Sequence, residues 1–159
     1  MRLALSIICT LAFTSLIANT KFLVHSTKDQ TKIGTVTCND SHYGLLCHVT
    51  LTLPQGPHGL HIHSGNSCAE SGMAAKGHLS LRQQSHLGPY NSMGHLGDLP
   101  VILSNHKQIV DTLILAPRLT ESLLKAHSII VHANGDNYSD TPNPLGGGGP
   151  RIACGLIVK

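Results

Sequence analysis

Seven short apolar-rich runs, separated by Gly, Pro, Asn or Asp, constrain this chain more than any other feature. In order they are TKIGTVTC, LLCHVTLTL, HGLHIHS, LPVILS, QIVDTLIL, HSIIVHA and RIACGLIV. Several alternate apolar with polar residues, the period-2 mark of a strand with one buried face. The one helical candidate is short, around RLTESLLKA after Pro117. This succession predicts an all-β fold, an antiparallel sandwich or barrel, and argues against alternating strand and helix units. No internal repeat, charge block or domain linker interrupts it.

The first residues have a different character. MRLALSIICTLAFTSLIA carries an early Arg2, an apolar run, and small or polar residues toward its end. That layout predicts a secretory signal peptide over residues 1–18, with Ala18 last before cleavage. Leu16 stands where a small residue is preferred, so the cleavage motif is imperfect. An uncleaved anchor is the competing reading, but the run of about 16 residues falls short of the ~20 that span a bilayer. Residues 19–30 read as a polar N-terminal extension, with His25 in HSTKDQTK, and residues 31–159 as the folded domain.

Without the leader, about 140 residues suffice for one domain with a real core. Tryptophan is absent and aromatics make up 3%, so Leu, Ile and Val must build that core. The net charge of +3 is too small and too scattered to predict nucleic-acid binding. Four cysteines follow the leader: Cys38, Cys47, Cys68 and Cys154. Behind an export signal an even count predicts disulfides. Cys38 and Cys47 flank NDSHYGLL, which reads as a hairpin connection, and are candidates for a disulfide across paired strands.

Twelve histidines are the main compositional anomaly. In a strand, residues i and i+2 share a face, so His61 and His63 of LHIH aim two imidazoles one way and Ile62 the other. The long segment 64–97 then supplies His78, His86 and His95, with Asp98 three residues beyond the last. A second long segment, 134–150, follows His132 and contains Asp136. Loops of this length in a compact domain are uncommon unless functional or disordered. Imidazoles with one carboxylate make a normal zinc set. For each histidine alone a solvated loop residue is the default; grouped on a strand end and one loop, they point to metal.

The ordered segments GLHIHSGNSC, GHLSL, HLGPY, GHLGDLP, APRLT, VHANGDNYSD and PLGGGGPRIACG closely resemble the copper/zinc superoxide dismutases, from about Gly34 to Val158. GHLGDLP and the GDNYSD…PLGGGG end resemble the bacterial, exported branch. The resemblance implies a Greek-key β-sandwich or flattened barrel of about eight antiparallel strands with two long functional loops. It implies one copper and one zinc ion per subunit. His61, His63, His78 and His132 match copper ligands, and His78, His86, His95 and Asp98 match zinc ligands, with His78 shared. Asp136 matches the carboxylate that fixes a copper histidine and a zinc histidine. Cys68 and Cys154 match a disulfide tying the first long loop to the last strand. Arg151 matches the arginine beside the open copper position, a permanent cation for an anionic substrate.

The implied reaction converts superoxide to oxygen and hydrogen peroxide, with His78 passing a proton to the product. Glycines before Arg151 let backbone pass close to the site; they are not a phosphate loop, since no Lys-Ser/Thr follows. The implied location is periplasmic or secreted, without stable membrane association once the leader is gone, as a monomer or homodimer.

Two departures stand out. AAKGH precedes His78 where the family more often has a second glycine, and LSLRQQ follows where an Asn-Pro or Asp-Pro pair is usual. The family's anion-steering lysines have no assignable match, and Lys76 is a candidate local substitute. His48, His58, His106 and His127 match no family role. A non-enzymatic metal-binding relative would be expected to lose a copper ligand or the arginine, and a copper-only enzyme the zinc set; this chain keeps both.

Overall fold

The computed structural model describes residues 19–158; the expected leader over 1–18 lies outside them. Among these residues nine strands form: β1 (Thr20–Ser26), β2 (Lys32–Ser41), β3 (Gly44–Thr52), β4 (Gly56–His58), β5 (Leu60–His63), β6 (Ile102–Ser104), β7 (Ile109–Ala116), β8 (Ser128–His132) and β9 (Arg151–Val158). Seven make one curled sheet in the order β5-β8-β9-β1-β2-β3-β7, and β4 pairs with β6. Every pairing is antiparallel. Within the sheet, β9 returns by a long route to lie beside β1, giving the Greek-key order fourth-first-second-third.

The first strand corrects the expectation of a polar extension over 19–30. TKFLVHS pairs with β2 on one side and β9 on the other, and buries Phe22 and Val24 completely. Polar residues on one face masked an alternating pattern. Only Thr27–Gln30 is the turn into β2, closed by Thr31 Oγ1 donating to Asp29 Oδ1 at 2.7 Å. A second correction concerns HGLHIHS. Gly59 divides it, so β4 joins the small sheet while β5 edges the large one. The helix around RLTESLLKA shortens to α1 (Glu121–Leu124), which buries Leu124.

The core is aliphatic, as the lack of Trp requires. Val36, Val49, Leu60, Val110, Ile129 and Val131 are fully buried around Phe22, and each such side chain contributes roughly 1.5–3 kcal/mol. Cys38 and Cys47 sit directly opposite each other on β2 and β3 and form a disulfide inside this core. Their Cα separation is 4.0 Å, below the usual 4.4–6.8 Å range. A second disulfide joins Cys68 to Cys154 at a Cα separation of 5.7 Å. No helix among the described residues is long and apolar enough to cross a membrane.

Candidate metal centre

Strand β5 organises the site. All four of its residues are buried, and it pairs with β8, whose last residue is His132. The long loop 64–97 folds back against its other edge. Leu79 N–H donates to Ile62 O at 2.8 Å, and Ile62 N–H donates to Gly97 O at 2.9 Å. These contacts set His78 beside His63 and Asp98 beside His61. Glycine is required at 97, since a Cβ there would lie 2.1 Å from Ile62 O.

Two donor groups result. One atom each from His61, His63, His78 and His132 lies within 4.8 Å of the others, and the same holds for His61, His78, His86 and Asp98. His95 stands outside the second group by that measure, but its Nδ1 is 3.5 Å from Asp98 Oδ1. His78 and His86 place their Nδ1 atoms 3.1 Å from the same oxygen. The rings of His61 and His78 stack at 3.9 Å.

The hydrogen bonds fix which nitrogen each ring offers. His61 Nε2 donates to Asp136 Oδ2 and His86 Nε2 to Asp136 Oδ1, both at 2.7 Å. His63 Nδ1 donates to Lys76 O at 2.8 Å and His132 Nδ1 to Gly149 O at 3.0 Å. The opposite atoms, His61 Nδ1, His63 Nε2 and His132 Nε2, are buried without a hydrogen-bond partner among the described residues, as is His78 Nε2. A buried polar atom left in that state costs about 1–3 kcal/mol. Four converging imidazoles suit copper or zinc, and imidazoles with a carboxylate suit zinc, so the residues fit two such ions.

Electrostatics follow from burial. Desolvation holds His61 down to about 3, His63 to about 2 and His132 to about 4, so these rings are neutral donors at pH 7. Burial works against protonation of His86 too, but Asp136 and Asp98 outweigh it and raise the ring to about 9. Burial opposes ionisation of both carboxyls, yet the histidine hydrogen bonds win and hold Asp98 and Asp136 below the ordinary carboxylate range.

The second loop closes over Asp136 only because its glycines permit it. At Gly146, with φ +73°, a Cβ would lie 1.9 Å from Asp136 Oδ1 and 2.8 Å from His86 Nε2. Arg151 opens β9 beside the first donor group. Its Nη1 donates to Gly72 O at 2.5 Å and its Nη2 to Lys76 O at 2.5 Å, on the loop anchored by Cys68–Cys154.

A family model described as copper/zinc superoxide dismutase matches residues 32–157. The chain belongs to the copper/zinc superoxide dismutase family. Curated family members similar to it include those of Legionella pneumophila, 51% identical over 129 residues (79% of this chain, 77% of the relative), and Haemophilus parainfluenzae, 45% identical over 136 residues (79% and 73%). Among solved structures, the Cu/Zn superoxide dismutase from Brucella abortus superimposes with a TM-score of 0.83 at 37% identity, covering 89% of this chain and all of that one. The monomeric copper, zinc superoxide dismutase from Salmonella enterica gives 0.75 at 39% identity over 89% of this chain and 100% of that one.

Two further residues matter here, His58, for which the sequence suggested no role, and Lys76, which acts differently from the anion-steering role expected of it. His58, only 2% exposed, lies between two carbonyls, with Nδ1 2.8 Å from His132 O and Nε2 2.8 Å from Pro54 O. It steadies the backbone of His132, and its place three residues before His61 in one buried run was the available signal. Lys76 contributes through its carbonyl, which accepts from both His63 and Arg151; its side chain is exposed.

Proposed function

We propose that the protein dismutes superoxide to oxygen and hydrogen peroxide, with one copper and one zinc ion per chain. In this reading His61 Nδ1, His63 Nε2, His78 Nε2 and His132 Nε2 hold copper, and His78, His86, His95 and Asp98 hold zinc. The observation that carries it is that the two donor groups share His61 and His78, and that His78 sets Nδ1 3.1 Å from Asp98 Oδ1 while its Nε2 is buried without a hydrogen-bond partner. When bound, copper exchanges one electron in each direction and zinc supplies a fixed positive charge.

The chain's own residues supply the rest. All four rings of the first donor group belong to buried residues, and the half-buried Arg151 beside them marks the side from which a small anion approaches. Arg151 flanks that approach as a permanent cation and orients a small anion. Its anchoring to Gly72 and Lys76 carbonyls spares the reorganisation a free side chain would need. His78 Nε2 would carry a proton to the product only while it is not holding copper, since one lone pair serves either role. Asp136 holds His61 and His86 in fixed tautomers, coupling the two halves.

The leader-like first residues and two disulfides support an exported, periplasmic protein. The Salmonella enterica relative, described as monomeric, supports a monomer over a homodimer.

The test is metal content by elemental analysis on protein loaded with both ions, with superoxide removal assayed on the same sample. One copper and one zinc per chain, with activity lost in His132→Ala, is the expected result. Zinc without copper, and no activity, would replace this reading with a metal-binding scaffold.

A further inference from the structure

Arg118 donates to four main-chain carbonyls of the segment 88–95, which runs into Asp98, yet it touches no donor atom. Its Nε donates to Pro89 O at 3.0 Å and its Nη1 to Gly94 O at 2.9 Å. Its Nη2 donates to Gly88 O at 3.2 Å and to His95 O at 2.5 Å. Four carbonyls therefore converge on one guanidinium, which has no carboxylate partner within salt-bridge distance among the described residues. A cation satisfied wholly by main-chain oxygens recognises a backbone shape, and only the planar fork of arginine presents donors in such an array.

The base of this side chain is rigid. It follows β7 directly, after Pro117, and its neighbour Leu119 is 1% exposed, with its N–H bonded to Ala116 O at 3.2 Å. The segment it grips is not part of any strand or helix. That segment carries His95 and leads into Asp98. Gly88 N–H donates to Asp98 Oδ2 at 3.1 Å, which turns Oδ1 toward His78, His86 and His95. Arg118 thus holds the carbonyl of the residue that aims the carboxylate, and the carbonyl of His95 itself. Both ends of the loop 88–95 are closed by one side chain.

We propose that Arg118 is the positioning residue of the zinc half: by clamping the Gly88 and His95 carbonyls it sets the direction of Asp98 Oδ1 and His95 Nδ1, and so the retention of zinc. The inference rests on the zinc reading given above. It assigns Arg118 no contact with substrate or metal.

The experiment loads the full-length protein with copper and either Zn(II) or Co(II). Zinc dissociation is followed by chelator competition, and the ligand-field bands of Co(II) report donor geometry; thermal midpoints of the metal-free proteins are measured alongside. Arg118→Gln is expected to release zinc about 10–100-fold more readily, the usual effect of losing a residue that orients ligands, with altered Co(II) bands. Arg118→Lys keeps the charge but not the fork, and is expected to recover less than half of that loss. It also carries the test should the glutamine variant fail to fold. Zinc retention within twofold of the parent in both variants, with unchanged Co(II) bands, would overturn the proposal, as would full recovery by lysine. If the parent shows no Co(II) bands that Asp98→Ala removes, the zinc reading itself fails, and this inference with it.

Discussion

His63 and Arg151 donate hydrogen bonds to one and the same acceptor, the carbonyl oxygen of Lys76, at 2.8 and 2.5 Å. An imidazole of the first donor group and the Arg151 guanidinium are therefore registered to a single backbone atom. That atom belongs to a residue with φ +65° and ψ −150°, a region that only glycine occupies without cost.

Lys76→Gly follows as a prediction. Relief of the backbone outweighs the added chain entropy of glycine, so the metal-free protein gains about 1 kcal/mol. The carbonyl stays where it was, so activity at high salt changes less than twofold. Thermal unfolding and a dismutation assay at raised ionic strength check both halves. A lower melting temperature would show that the lysine side chain offsets its own strain.

Asp136 is shared in the same way by His61 and His86, one oxygen to each. Asp136→Asn keeps the shape but can accept from only one ring. Affinity at both halves is expected to fall about 10–100-fold, measured by competition with a chelator for each metal separately. Loss confined to one metal would show that Asp136 does not couple them.

How far the site was legible depends on where its donors come from. His61, His63 and His132 lie on or at the end of strands, where period and polarity give direction away. His78, His86, His95 and Asp98 were legible only as an ordered set, because loop geometry is fixed by distant main-chain contacts such as Ile62 N–H to Gly97 O. The clamp of Arg118 and the bridging role of His58 use backbone carbonyls, which every residue carries and no motif records. Strand β1 was missed for a related reason: KFLVHS alternates, but its polar half resembles a tail until β2 and β9 are seen on either side.

Acid sensitivity of the metal-free form follows from the buried rings. His61, His63 and His132 have native values of about 3, 2 and 4, against an unfolded value of 6.5. Between these limits the unfolded chain binds more protons, so stability falls as pH drops below about 6.5, by up to roughly 4 kcal/mol per pH unit when all three act. His86, raised to about 9, has the opposite sign: its contribution is complete below 6.5 and disappears as pH rises through 9. Urea unfolding of chelator-treated protein should therefore peak near pH 6.5–7, with the acid limb steeper than the alkaline one. A flat profile from pH 5 to 7 would contradict the neutral, buried state of these rings.

The two disulfides should separate stability from function. Cys38–Cys47 closes a short loop, with a sequence separation of 9, wholly within the β2–β3 core. Its removal as a double Ala variant is expected to cost about 2–3 kcal/mol, from the chain entropy returned to the unfolded state, with little change in activity. Cys68–Cys154 closes a separation of 86 and is worth about 4–5 kcal/mol on the same scale. It also anchors the loop whose Gly72, Met73 and Lys76 carbonyls hold Arg151. Its loss should lower the activity of protein that is still folded and metal-loaded, because the guanidinium and His63 lose their common acceptor. Melting temperature and kcat/KM measured on both variants distinguish the two outcomes. Equal activity in the two would mean that the loop is held by its hydrogen bonds alone.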